Sequence, residues 1–347
     1  MLGLFTIGLL IVSTPTARAE EIPHGTIDNQ SNRIVFDHGS LTAVFEGMVP
    51  RVTFYDHNAM ARTQEQVNFR ALIEFADSDN NNVYEHREFV AGIILDDAHW
   101  THTGFYNLPD NSGVGINFTQ EEPIMLSDNH GTLAAGSVTL IVKAYNMTKT
   151  MTVDGKSVTI STATLKFDVI IKNWPFQNTS NMLALQVNMH SSTEHYDLDQ
   201  NTGTQTVDGS HAETTDTQEH SFHETSDIEQ ETRFSTGSIT TSTTMGFFRF
   251  VDKATVVNSN GQSTTVPVTA SYKAESEHDG AESETFMKLY LAYPNYQGTL
   301  VQDPSIGLSN TLPTLYFIAG GAAVAGLAVV LMIRHRHARV LRDTVKN

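Results

Sequence analysis

Oxygen-bearing side chains recur at fixed intervals in one twelve-residue stretch, Asp77-Ser78-Asp79-Asn80-Asn81-Asn82-Val83-Tyr84-Glu85-His86-Arg87-Glu88. Asp77, Asp79, Asn81, Glu85 and Glu88 fall at positions 1, 3, 5, 9 and 12, and Val83 at position 7 can offer its backbone carbonyl. This donor set suits a hard divalent cation. Calcium takes about six to eight oxygen ligands at about 2.3–2.6 Å. Short acidic side chains on alternate residues of a tight turn converge on one point, and Glu88 is long enough to close the sphere with both carboxylate oxygens.

The spacing resembles the calcium loop of the EF-hand family, DxDxNxVxExxE as it stands here. The resemblance covers these twelve positions only. It implies calcium as the bound ion and Asp77, Asp79, Asn81, Val83, Glu85 and Glu88 as its ligands. Position 6 departs from the family: it is Asn82, where the family has glycine. The turn there wants φ > 0, which asparagine tolerates better than most residues. The flanks depart as well. Gln66 to Phe75 alternates in part and reads as a strand, so a calcium loop between β elements is expected rather than a helix–loop–helix. The competing reading is a solvated Asn/Asp turn between two strands.

The elements around this loop read as strands. Short β-branched or aromatic runs bounded by Gly, Pro, Asn or Asp occur at 33–37, 40–46, 51–55, 114–118, 137–145, 162–171, 181–190, 233–239, 244–251 and 284–293. Hairpin signals stand at Asp154-Gly155 and Asn260-Gly261. Residues 88–95 fit either a strand or a helical turn. Together these runs predict an all-β, sandwich-like region. Residues 20–32 read as loose polar chain, and 294–313 as a linker. The stretch from about 191 to 232 lacks Lys and almost all aliphatic residues, and reads as a long exposed acidic insertion. One extended β domain over 20–312 is expected.

Both ends of the chain look membrane-related. Residues 1–19 read as a signal peptide, with an apolar run from Leu2 to Val12 and a cleavage pattern at Ala17-Arg18-Ala19. Residues 313–333 read as a transmembrane helix, whose unbroken apolar core from Leu315 to Ile333 is long enough to span a bilayer. Arg334, Arg336, Arg339, Arg342 and Lys346 follow in a short tail, 334–347, which the positive-inside rule assigns to the cytoplasm. The expectation is a type I single-pass protein of a cell membrane with its large N-terminal part outside. Small residues four apart, Gly321 with Ala325 and Ala322 with Gly326, would let two such helices approach closely and dimerise.

The formal net charge of −18 argues against nucleic acid as a partner, since the region outside the basic tail repels polyanions and attracts cations. The chain has no cysteine, which excludes disulfide scaffolds and thiol catalysis and leans toward a prokaryotic cell surface. Sequons at Asn29, Asn117, Asn146 and Asn178 mark candidate glycosylation sites. The 15 histidines raise a second metal hypothesis. His220 and His223, with His211, Glu219 and Glu224, sit in the acidic insertion, where a transition metal would meet suitable ligands. His99 and His102 lie three apart, poor spacing for one metal on a strand. The acidic pairs Asp96-Asp97 and Glu121-Glu122 read as surface charge, and no catalytic fingerprint is present. The chain thus reads as a calcium-binding surface protein with a structural or adhesive role toward a surface protein or glycan, not as an enzyme. The alternatives are a carboxylate-dependent surface hydrolase and a histidine-loop metal binder.

Overall fold

The computed structural model describes residues 24–28, 33–46, 50–57, 64–153, 156–191, 195–200, 203–208, 229–235, 244–279 and 282–310. The predicted signal peptide, membrane span, basic tail and residues 209–228 of the acidic stretch lie outside them. No helix among the described residues is long and apolar enough to cross a membrane.

The all-β expectation holds. Nearly every run of alternating hydrophobicity forms a strand, and two large sheets carry the fold. The first runs His24–Asp28, Arg33–His38, Leu41–Glu46, Arg51–Asp56, Glu65–Phe75, Met182–Ser191, Glu282–Tyr293 and Thr269–Asp279, with Phe89–Ile94 also paired to Glu65–Phe75. The second runs Gly203–Asp208, His195–Gln200, Glu229–Ser235, Thr244–Val251, Ser305–Asn310, Thr164–Lys172, Val138–Tyr145, Gly113–Gln120 and Trp100–His102.

One apolar cluster joins the two sheets. Phe45 and Phe69 of the first sheet meet Phe118 and Phe167 of the second, with ring centroids 5.1 Å apart for Phe45–Phe118 and 5.3 Å for Phe69–Phe167. Each such ring contributes about 1.5–3 kcal/mol through burial. That is how a chain without cysteine holds two large sheets together. Trp100 and Trp174 are both buried, as expected for core residues.

Three sequence expectations are corrected. The acidic stretch is not one long loop: His195–Gln200 and Gly203–Asp208 pair as a hairpin, and Glu229–Ser235 carries the sheet onward to Thr244–Val251. Its Thr content suits strands, and backbone pairing needs no aliphatic side chains. Residues 294–313 are not merely a linker. Thr299–Gln302 and Ser305–Asn310 pair with Thr164–Lys172, and Leu300, Ile306 and Leu308 enter the core. Residues 20–32 are not all loose, because His24–Asp28 pairs along its whole length with Arg33–Asp37.

The strand entering the acidic loop changes phase partway. Opposite Met182–Ser191, Gln186 faces Ala71 but Val187 faces Phe69, so Arg70 is an extra, bulged residue. Before the bulge the odd positions Val67 and Phe69 face the main core. After it the even position Leu72 does so, and Ala71, Ile73 and Phe75 join a separate cluster on the sheet's other face. The shift also turns Glu74 inward, where it is fully buried. A second irregularity pairs Glu74 with Ala91 but Phe75 with Phe89, and the acidic loop begins immediately beyond.

Candidate metal centre

The loop 76–88 is flanked by β structure. The strand Glu65–Phe75 enters it, and a single 3-10 turn, His86–Glu88, leads into the strand Phe89–Ile94. Its base is closed by a backbone bond from Ala76 N–H to the Glu88 carbonyl, 2.9 Å.

Inside the loop the acidic side chains organise the backbone. Asp77 Oδ1 accepts from Asn81 N–H at 3.1 Å, and Asp77 Oδ2 from Asn82 N–H at 3.0 Å. Asp79 Oδ1 accepts from Asn81 N–H at 3.3 Å. Asn81 Oδ1 takes the Val83 N–H at 2.6 Å. Asn80 and Asn82 both adopt φ of 58°, the left-handed conformation that the glycine position of such a loop demands. Asn82→Ala should therefore lower unfolding free energy by about 1–2 kcal/mol, whereas Asn82→Gly should cost only a few tenths. Urea unfolding midpoints of the two variants check this.

One ligand atom from each of Asp77, Asp79 and Glu88 lies within 4.8 Å of the others. Three of the six expected ligands therefore converge. Asn81 has its side-chain oxygen on the Val83 amide, and Glu85 Oε2 pairs with Arg87 Nε at 2.8 Å. Arg87 also reaches Asp79 Oδ2 at 3.3 Å, which offsets part of the cluster's negative charge. Val83, at position 7, is half-buried and donates its N–H to that Asn81 oxygen.

Glu88 differs from its partners in burial. Asp79 is exposed and Asp77 half-buried, but Glu88 is only 5% exposed. Its Oε1 accepts from Ser78 N–H at 2.9 Å and from Ser78 Oγ–H at 2.5 Å. These bonds, chiefly the hydroxyl's, hold the Glu88 carboxyl below the usual glutamate range against the opposing effect of burial. Its Oε2 is buried with no hydrogen-bond partner. A buried carboxylate oxygen left unsatisfied costs free energy, and a cation is one means of satisfying it.

Position 8 of the loop, Tyr84, folds back over the first sheet. Its ring lies 5.6 Å from Phe75 and 5.1 Å from Tyr290. The loop is thus anchored at its exit by Glu88 and in its middle by Tyr84.

The other candidates do not gather into a site among the described residues. Asp96 binds Asn68 Nδ2 at 3.0 Å and pairs with Arg70, away from the acidic loop. His99 Nδ1 stands 3.7 Å from Glu122 at the surface, and His102 Nδ1 contacts the Thr103 carbonyl. The histidines and acids of residues 211–224 lie outside the described residues. Asn178 is an exposed turn residue, while Asn117 and Asn146 hydrogen-bond to Tyr106 and Asn111 respectively.

Two arrangements carried no warning in sequence. Glu74 is fully enclosed and accepts from Gln177 N–H at 2.7 Å, Asn181 Nδ2 at 2.6 Å and Trp174 Nε1–H at 3.1 Å. Asp168 pairs with Lys143 across neighbouring strands of the second sheet. In comparisons with known proteins, the chain matches no family model and no curated sequence.

Proposed function

We propose that this chain is a calcium-binding protein of a cell surface, in which the ion fastens the 77–88 loop and so orders the strands Glu65–Phe75 and Phe89–Ile94. The supporting observations are the convergence of Asp77, Asp79 and Glu88 and, at Glu88, a buried oxygen that lacks a hydrogen-bond partner. Asn81, Val83 and Glu85 complete the shell when their side chains or carbonyl turn inward, with Arg87 releasing Asp79 and Glu85. An all-oxygen donor set in an adaptable loop suits calcium better than magnesium, which demands near-ideal octahedral geometry. The apolar run at 313–333 and the basic residues after it support a membrane anchor, and the 1–19 segment supports export. In this reading the role is structural or adhesive.

Calcium that binds only the folded form adds RT ln(1 + [Ca]/Kd) to its stability. With a Kd in the extracellular range of roughly 0.1–1 mM, 10 mM calcium contributes about 1.4–2.7 kcal/mol. The melting temperature of the full-length chain should rise by several degrees on adding calcium and fall back on chelation. The same concentration of magnesium should reproduce little of the rise. An identical melting temperature with calcium and with chelator would contradict the proposal.

A further inference from the structure

Between the strands Thr164–Lys172 and Met182–Ser191 the chain makes a turn whose outermost residues, Gln177, Asn178, Thr179 and Ser180, are all exposed. The turn is held from beneath. The buried Glu74 carboxylate accepts from the Gln177 N–H on one side of it and from Asn181 Nδ2 on the other. The Asn178 carbonyl accepts from Asn181 N–H at 3.1 Å and from Asn295 Nδ2 at 3.3 Å. The backbone is thus fixed at both ends while its crest meets solvent.

Asn178-Thr179-Ser180 is one of the four N-x-[ST] patterns, which mark acceptor asparagines when they stand on a surface loop. Transfer to such an asparagine needs an uncommitted Nδ2 and an approachable hydroxyl two residues on. Asn178 Oδ1 accepts from Ser180 N–H at 3.2 Å, an Asx-turn that ties the side chain to the residue carrying that hydroxyl. Asn178 Nδ2 makes no hydrogen bond among the described residues. The other sequons differ. Asn146 Nδ2 is committed to the Asn111 carbonyl at 2.8 Å, and its Oδ1 is buried. Asn117 lies inside the strand Gly113–Gln120, opposite Ile141 on one side and bonded to Thr103 on the other, and its Oδ1 accepts from the Tyr106 hydroxyl at 2.7 Å. Asn29 lies outside the described residues.

We propose that Asn178 carries an N-linked glycan and that Asn117 and Asn146 do not. The inference rests on the export reading of residues 1–19. The donor is a saccharide joined through its anomeric carbon to a lipid phosphate. Asn178 Nδ2 forms a bond to that carbon, the carbon–oxygen bond to phosphate breaks, and in the net reaction the displaced lipid phosphate takes up the amide proton. The place of the turn in the fold bears on what the glycan does. Ser305–Asn310 pairs antiparallel with Thr164–Lys172, with Gly307 opposite Thr164, so the chain leaves toward residues 313–333 at the end of the sheet away from the turn. The nine residues of Thr164–Lys172 separate the two ends by roughly 30 Å. Met182, just after the turn, is opposite Phe75, just before the acidic loop. In an anchored chain the glycan therefore stands away from the bilayer, as a bulky hydrophilic cover at the same end of the sandwich as the loop.

The test is mass spectrometry of the full-length chain isolated from the cells that naturally make it, whole and after digestion. Peptides containing Asn178 should carry added saccharide mass, and those containing Asn117 or Asn146 should not. Asn178→Gln and Ser180→Ala, each made in the same cells, should both lose that mass. Ser180→Ala keeps the N–H that donates to Asn178, so the turn is preserved and only the hydroxyl is lost. An unmodified Asn178 overturns the proposal. So does saccharide mass that survives in both variants, or equal modification of Asn117 or Asn146, which means that the folded turn selects nothing. The same spectra show whether the chain begins at Glu20. A processed N-terminus with a bare Asn178 defeats this proposal and leaves export standing, whereas an intact N-terminus with a bare Asn178 counts against both.

Discussion

Glu88→Gln is expected to weaken calcium binding by on the order of 100-fold or more while leaving the fold intact. Substitutions in the outer shell of metal sites already cost about 10–100-fold, and Glu88 is placed to bind the ion directly. Glutamine keeps the length and one acceptor oxygen, so Ser78 can still donate to it. It loses the charge and the second oxygen that closes the coordination sphere. In chelator the stability should change little, because two effects oppose each other. The charge-assisted bonds from Ser78 weaken, but the buried charge with one unpartnered oxygen is gone. Calorimetry with calcium, together with urea unfolding in chelator, separates the two readings of this loop. A plain Asn/Asp turn would show no calcium response in either protein.

The largest expected loss of stability comes from Glu74→Ala, at about 3–5 kcal/mol. The Glu74 carboxylate is fully buried and collects three donors from 174–181, a segment that joins the second sheet to the first. Truncation leaves the Trp174 indole N–H, the Gln177 amide and the Asn181 side chain without their acceptor, and opens a cavity beside them. Glu74→Gln should cost less, since one oxygen still accepts while the new amide faces a donor. Urea unfolding gives the free energies, and near-ultraviolet circular dichroism of the tryptophans reports the local packing. An alanine variant within about 0.5 kcal/mol of the parent would show that these bonds contribute no net stability.

How far the fold was legible depended on where period two held. Val138–Tyr145 and Thr164–Lys172 alternate cleanly and were readable as strands. Glu65–Phe75 was also recognisable as a strand, but its faces were not. The bulge at Arg70 reverses the phase halfway, so Ile73 and Glu74 exchange the sides that simple alternation assigns them. That one extra residue hides the buried carboxylate. Strands such as Gly203–Asp208 escaped notice because their pairing comes from backbone bonds, and polar side chains give no apolar rhythm. Thr299–Gln302 and Ser305–Asn310 are short, and their membership of the second sheet depends on partners far away in sequence. At the acidic loop, the oxygen spacing foretold that Asp77, Asp79 and Glu88 could meet. The capture of Asn81 Oδ1 by the Val83 amide and of Glu85 by Arg87 depends on local geometry that spacing does not encode.

Calorimetric titration of calcium into the chelator-stripped, full-length chain tests the central claim most directly. A single saturable site, with a Kd of roughly 0.1–1 mM and abolished by Glu88→Gln, is the expected result. Heats no greater than dilution across that range, or binding that survives Glu88→Gln unchanged, would contradict it.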